Sequence, residues 1–141
     1  MKKSQLLRLS LLAVFLACML LWHGCSVRYT KQFETLTIDI LANSPSWQRL
    51  LSGAISEQSV SEEHATKLLS GNSSFVQTIE YLPEYPGIYL VIKQMFPSKE
   101  GVLISEAELE PISRERNTGI EIEYLGSSEN LLLYRLHYYW D

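Results

Sequence analysis

The sequence predicts an α+β fold: a single N-terminal transmembrane helix, then a small domain of one or two helices and a four- to six-stranded antiparallel sheet, open or barrel-like. Three observations predict it. Residues 9–27 contain no Asp, Glu, Lys or Arg and are nearly all apolar. Apolar residues recur at helical spacing from Trp47, and from residue 73 onward short alternating stretches are separated by turn residues.

The apolar run comes first. Lys2, Lys3 and Arg8 precede it, and as a helix it covers roughly 28 Å, close to the hydrocarbon thickness of a bilayer. Basic residues ahead of such a run are retained in the cytoplasm. This gives a cytoplasmic tail at 1–8, a signal anchor at 9–27 and a periplasmic domain at 28–141 of a single-pass protein of the bacterial inner membrane. Trp22 and His23 suit the interface. Two other readings also export the domain. One is a lipoprotein signal ending at Cys25, and the other is a cleaved secretory signal with Gly24-Cys25-Ser26 as its small-residue site.

Beyond residue 27 lie all 16 acidic residues against 9 basic ones, the 12 of the whole chain less Lys2, Lys3 and Arg8, for a net charge near −7. Such a surface repels polyanions, so no direct nucleic-acid contact is expected. Cys18 lies inside the run and Cys25 at its edge, and the domain has no cysteine. A disulfide within it is therefore excluded. Cys25 is left open to three fates: lipidation, an intermolecular disulfide, or a semi-buried place at the membrane surface.

Residues 27–41 alternate, with Leu36, Ile38 and Ile40 against Thr35, Thr37 and Asp39, and predict a first strand. Asn43-Ser44-Pro45-Ser46 breaks it and offers Ser44 or Ser46 as a helix cap. Trp47, Leu50, Leu51, Ala54 and Ile55 then form a helical stripe. A short helix is predicted over 61–69, capped by Ser61, favoured at its start by Glu62 and Glu63, and stopped by Gly71. Strands at 75–82 and 88–96 flank the turn Pro83-Glu84-Tyr85-Pro86-Gly87. A short strand follows at 101–105, then a polar loop or helical turn at 106–117 with Pro111. Residues 120–124 alternate again, 126–130 turn, and 131–140 form the last strand. The sheet is expected to be a meander.

In that last strand Leu132, Tyr134, Leu136, Tyr138 and Trp140 share one face, while Leu131, Leu133, Arg135, His137 and Tyr139 share the other. Only Asp141 follows, so the strand is expected to be either central among earlier strands or completed by another protein. In the second case Tyr134, Leu136, Tyr138 and Trp140 bind the partner.

No catalytic constellation is visible. His23, His64 and His137 are scattered without metal-ligand spacing, and no serine sits in a nucleophile elbow. Glu121 and Glu123 are two apart on a strand, the expected arrangement of a solvent face. No enzyme, cofactor or metal is expected.

The order of features nevertheless resembles a known family. After the basic tail and single span, Ser46-Trp47-Gln48 opens a helix. Tyr81-Leu82-Pro83 and Gly87-Ile88-Tyr89-Leu90 follow at the hairpin. This resembles the ToxS family, small membrane-anchored periplasmic partners of ToxR-type transcription factors, and the functional class that includes PsaF, MyfF and VtrC. The likeness covers roughly residues 22–96. It implies a hetero-oligomer with a membrane-spanning, winged-helix regulator of virulence-type genes, whose periplasmic domain the small subunit binds and stabilises. In some such pairs the two chains enclose a cavity for bile salts. Here a bile-like ligand would be lined by the aromatic face of the last strand with Ile88, Leu90 and Ile92. Two further readings are a periplasmic lipoprotein or lipid-ligand-binding module, and a bitopic component of a secretion or pilus assembly.

Overall fold

The computed structural model describes residues 2–69, 73–113 and 119–139, except the side chains of residues 23–30 and 73. The chain divides into two compact units, Met1–Gln32 and Phe33–Asp141. In the first unit, Lys3–Trp22 is helical, long and apolar enough to cross a membrane, with a mean hydropathy of 2.0 and none of it buried. Exposed side chains such as Leu12, Phe15 and Leu20 are costly in water and suited to lipid, whether as an anchor or as a signal sequence.

Helix α1 is assigned over Lys3–Ala42, so residues 27–41 are not the strand expected of them. The alternation of Leu36, Ile38 and Ile40 hid a second spacing. Phe33, Leu36 and Ile40 recur at three and four residues and are buried, whereas Ile38 is 69% exposed. A strand would have put Ile38 on the core side with its neighbours. Extending an existing helix also avoids the cost of a new nucleus. Within α1 the Thr37 hydroxyl donates to the Phe33 carbonyl at 2.8 Å, a bond that helical geometry permits.

Helix α2 spans Ser44–Glu57 with Asn43 at its N-cap and Pro45 in its first turn. Neither expected serine caps it. The Ser44 hydroxyl instead bonds Ser128 at 3.1 Å, and Ser46 accepts from Arg49 at 3.3 Å. Trp47, Leu51 and Ala54 are buried from the predicted stripe, with Leu50 and Ile55 at its half-buried margins. Helix α3 spans Glu62–Leu69, and the Ser61 hydroxyl accepts from the His64 amide at 3.4 Å, as an N-cap should. Gly71, the expected stop, lies outside the described residues.

The sheet contains β1 (Thr78–Leu82), β2 (Gly87–Met95), β3 (Ser98–Ser105), β4 (Ile120–Ser128) and β5 (Leu131–Tyr139), all antiparallel. Phe75 belongs to a 3-10 turn, Ser73–Phe75, ahead of β1. β3 is longer than the five residues expected. β4 continues through the predicted turn by a bulge between Tyr124 and Gly126, leaving Glu129 and Asn130 alone as the turn. A Cβ on Gly126 would sit 3.2 Å from the Leu41 side chain, which would have to give by a few tenths of an ångström to admit it.

The strand order is β1-β2-β3-β5-β4, an open sheet rather than a barrel, and it departs from a meander because β5 inserts between β3 and β4. Leu90, Val102 and Arg135 stand side by side on one face, and the Arg135 guanidinium lies 5.1 Å over the Phe33 ring. That face therefore meets the helices. Its core consists of Ile88, Leu90, Val102, Ile104, Leu131 and Leu133 with Leu36, Ile40, Trp47 and Leu51, all buried. The opposite face carries Tyr89, Val91, Leu103, Ile122, Tyr134 and Leu136 as a second buried cluster.

Candidate functional site

The second cluster carries the residues expected to bind a partner. No helix covers it. Leu82, Tyr85, Leu109, Ile112, Ile120, Leu132 and Tyr138 pack against it, half-buried, so its cover is a turn and a loop. Tyr134 fixes that loop: its phenol donates to the Ala107 carbonyl at 3.2 Å and accepts from the Leu109 amide at 3.0 Å. Farther on, Ile112 makes a two-bond bridge with Ile122, at 3.1 and 2.9 Å, against the outer edge of β4.

Tyr89 is fully buried and donates to the Leu136 carbonyl at 2.9 Å. Tyr138 meets it edge to face, with ring centroids 6.0 Å apart, and Lys99 lies 5.7 Å from the Tyr89 centroid while pairing with Glu80 at 2.6 Å. Burial pushes the Tyr138 phenol up to about 12, with the Glu84 carboxylate, Tyr85 and the Glu80 carboxylate adding to it. Burial raises Tyr89 further still, aided by Tyr138, Glu100 and Glu80. Both phenols are thus neutral donors at neutral pH and cannot serve as bases.

These placements decide what the expected partner residues can do. Tyr134 and Leu136 are buried, Leu136 completely, and Tyr138 is half-buried. Trp140 lies outside the described residues, as does the Cys25 side chain. β5 is hydrogen-bonded to β3 on one side and β4 on the other, so it offers no edge for another protein to pair with. The central-strand alternative holds, and the outer strands of the sheet are β1 and β4. The lining expected for a bile-like ligand does not assemble either. Ile88 and Leu90 face the helices, Ile92 sits at the bulge between Val91 and Lys93, and the residues beside Tyr134 and Leu136 are Tyr89, Val91 and Leu103.

A charged group occupies the helix-facing side at the far end of β5. Glu100, buried in β3, pairs with Arg135, which also reaches Glu123 at 3.6 Å. His137 Nδ1 lies 3.6 Å from Glu100 and shares a 2.8 Å hydrogen bond with the Tyr139 phenol, which donates to Glu121 at 3.1 Å. Glu121 is therefore half-buried and engaged rather than simply solvated, while Glu123 is exposed. Sequence reasoning missed Glu100. The available signal was the unusually apolar second face of β5, whose Arg135 calls for a counter-charge.

A third feature is an open groove of about 610 Å³ between α2 and α3, lined by Leu50, Ala54, Leu68, Arg49, His64 and Lys67 among others. His64 is exposed on it, as expected for a helix-surface histidine. Among the described residues no three His, Cys, Asp or Glu side chains gather where they could hold a metal ion. No protein-family model matches the chain, and no curated protein or solved structure matches it.

Proposed function

We propose that this chain is a membrane-anchored, non-enzymatic accessory subunit whose periplasmic domain binds and stabilises the periplasmic domain of a membrane-bound transcriptional regulator in the bacterial inner membrane. The observation that carries this reading is an open sheet edge beside a loosely covered apolar cluster. From Tyr124 to Ser128, beyond the Ile112–Ile122 bridge, no strand among the described residues pairs with the outer edge of β4, and Tyr124 itself is 51% exposed. A partner strand laid along β4 would satisfy its remaining backbone groups and cover Tyr124. The apolar helix adds a second support. Two proteins held in one bilayer meet at high effective concentration, so a modest interface suffices.

The test is recovery of the tagged full-length chain from crosslinked membranes. A co-purified membrane protein with a cytoplasmic winged-helix domain is the expected result, with recovery lowered by Tyr124→Asp and the partner degraded faster when this chain is deleted. A secretion or pilus component in its place sinks the proposal.

A second reading, an amphipathic-ligand module, is favoured by the α2–α3 groove, whose volume falls within the range of ligand sites and whose wall mixes leucines with Arg49, His64 and Lys67. A bile-type amphiphile should then raise the Tm of the protein, and Arg49→Glu should remove the effect. An unchanged Tm rules this reading out.

A further inference from the structure

The tip of the β2–β3 hairpin exposes Met95 (64%) and Phe96 (85%), followed by exposed Pro97. A two-residue turn needs no large apolar side chain in water, and Phe96 is the most exposed one among the described residues of 33–141. Its place in the domain gives it a use. Met95 pairs with Ser98 and Ser98 with Tyr139, so the tip stands beyond the distal end of β5.

The chain runs the other way along β5. Phe33 lies under Arg135, Thr37 and Leu41 lie at Gly126, which pairs with Leu133, and Ser44 bonds Ser128, which pairs with Leu131. Followed backward from Ser44 to Phe33, the chain thus leaves the domain toward the hairpin end. The hairpin projects roughly 13 Å past the level of Phe33, counting the four residues from Arg135 to Tyr139. The eleven steps from Trp22 to Phe33 cover about 16 Å at the helical rise and at most about 40 Å extended. Projection and tether are of one size.

We propose that Met95, Phe96 and Pro97 form a second membrane contact, inserted into the headgroup boundary of the bilayer that holds the N-terminal helix. The partner is the lipid surface itself. The attraction is apolar, because a domain of net charge near −7 gains nothing from anionic headgroups. Tethering makes the contact intramolecular, so two or three apolar side chains are sufficient. With both contacts made, the orientation of the domain on the membrane is fixed. This inference rests on the reading of residues 3–22 as a retained anchor.

The experiment uses the full chain with Cys18→Ser and Cys25→Ser, carrying an environment-sensitive fluorophore at Gln94→Cys or, as the control at the opposite end of β5, at Asn130→Cys. Each is reconstituted in phosphatidylcholine vesicles with and without spin-labelled lipid. Flotation with the vesicles reports the anchor separately, and a chain that does not float overturns both readings. In floated chains the label at 94 should be quenched several-fold more by the spin-labelled lipid than the label at 130. High salt should leave that ratio unchanged, and the Met95→Asp/Phe96→Asp pair should abolish it. Equal quenching at the two sites overturns the contact while leaving the anchor standing. So does a blue shift at 94 without lipid quenching, which would mean a protein neighbour, or quenching that salt removes.

Discussion

Tyr138 and Glu100 show how much individual side chains on opposite faces of one sheet can differ in what they demand. Tyr138 titrates near 12 against an ordinary value of 10.0, chiefly because ionising it would strand a charge in an apolar setting. Its folded value lies above its unfolded one, so its contribution to stability is complete below about pH 10 and lost as pH rises from there through about 12. Alkaline unfolding monitored by circular dichroism should therefore begin near pH 10, and Tyr138→Phe should move its onset upward. An unmoved onset would assign the transition to another group, Tyr89 being the first to examine. Glu100 makes the opposite demand, since it is charged and buried. Glu100→Ala leaves the Arg135 guanidinium without its closest carboxylate and should cost about 2–3 kcal/mol in urea unfolding, less than a fully buried pair because Arg135 is partly solvated. From the sequence, Arg135 and His137 were visible as polar groups on an apolar strand. Their partner Glu100 was not, because it lies 35 residues away on a strand whose neighbour could not be assigned.

At the scale of single elements, the far end of α1 separates two periodicities that coincide in sequence. Leu36→Ala and Ile40→Ala should each cost about 2–5 kcal/mol, whereas Ile38→Ala should stay within about 0.5 kcal/mol. Equal costs at all three positions would favour a strand. The β2–β3 pair makes a second test. A Cβ on Gly101 would collide with the Leu90 carbonyl oxygen and lie 2.9 Å from the Val91 Cα, backbone that cannot yield. Gly101→Ala should destabilise by roughly 1–3 kcal/mol or more by thermal unfolding, while Gly53→Ala, with nothing near it, should not. The hairpins and the amphipathic helix α2 were legible because each depends on neighbours in sequence. The helix over 33–42 was not, because Leu36, Ile38 and Ile40 satisfy a period of two as well as Leu36 and Ile40 satisfy one of four. Only the surface available to pack against distinguishes them.

The whole molecule combines an apolar helix with a domain that covers one side of its sheet with helices and the other with a loop. The α+β class and the single candidate span were legible, since both rest on composition and periodicity. The openness of the sheet and its order were not, because spatial adjacency need not follow chain order. That order moves the search for a binding surface from β5, where the aromatic residues are, to β4 and β1, the outer strands of the sheet among the described residues. For the whole assembly, the expected outcome is that the chain fractionates with membranes and resists extraction by carbonate. Release into the soluble fraction would identify residues 3–22 as a removed signal.

The insertion of β5 between β3 and β4 also bears on the making of the protein. β5 follows both strands that it joins, so β4 lacks its neighbouring strand until Leu131–Tyr139 has been synthesised. At about 5–20 residues per second the delay is on the order of seconds. Throughout it, one edge of β3 lacks the strand that pairs with it in the finished sheet. Completion of the sheet thus waits on the arrival of nine residues.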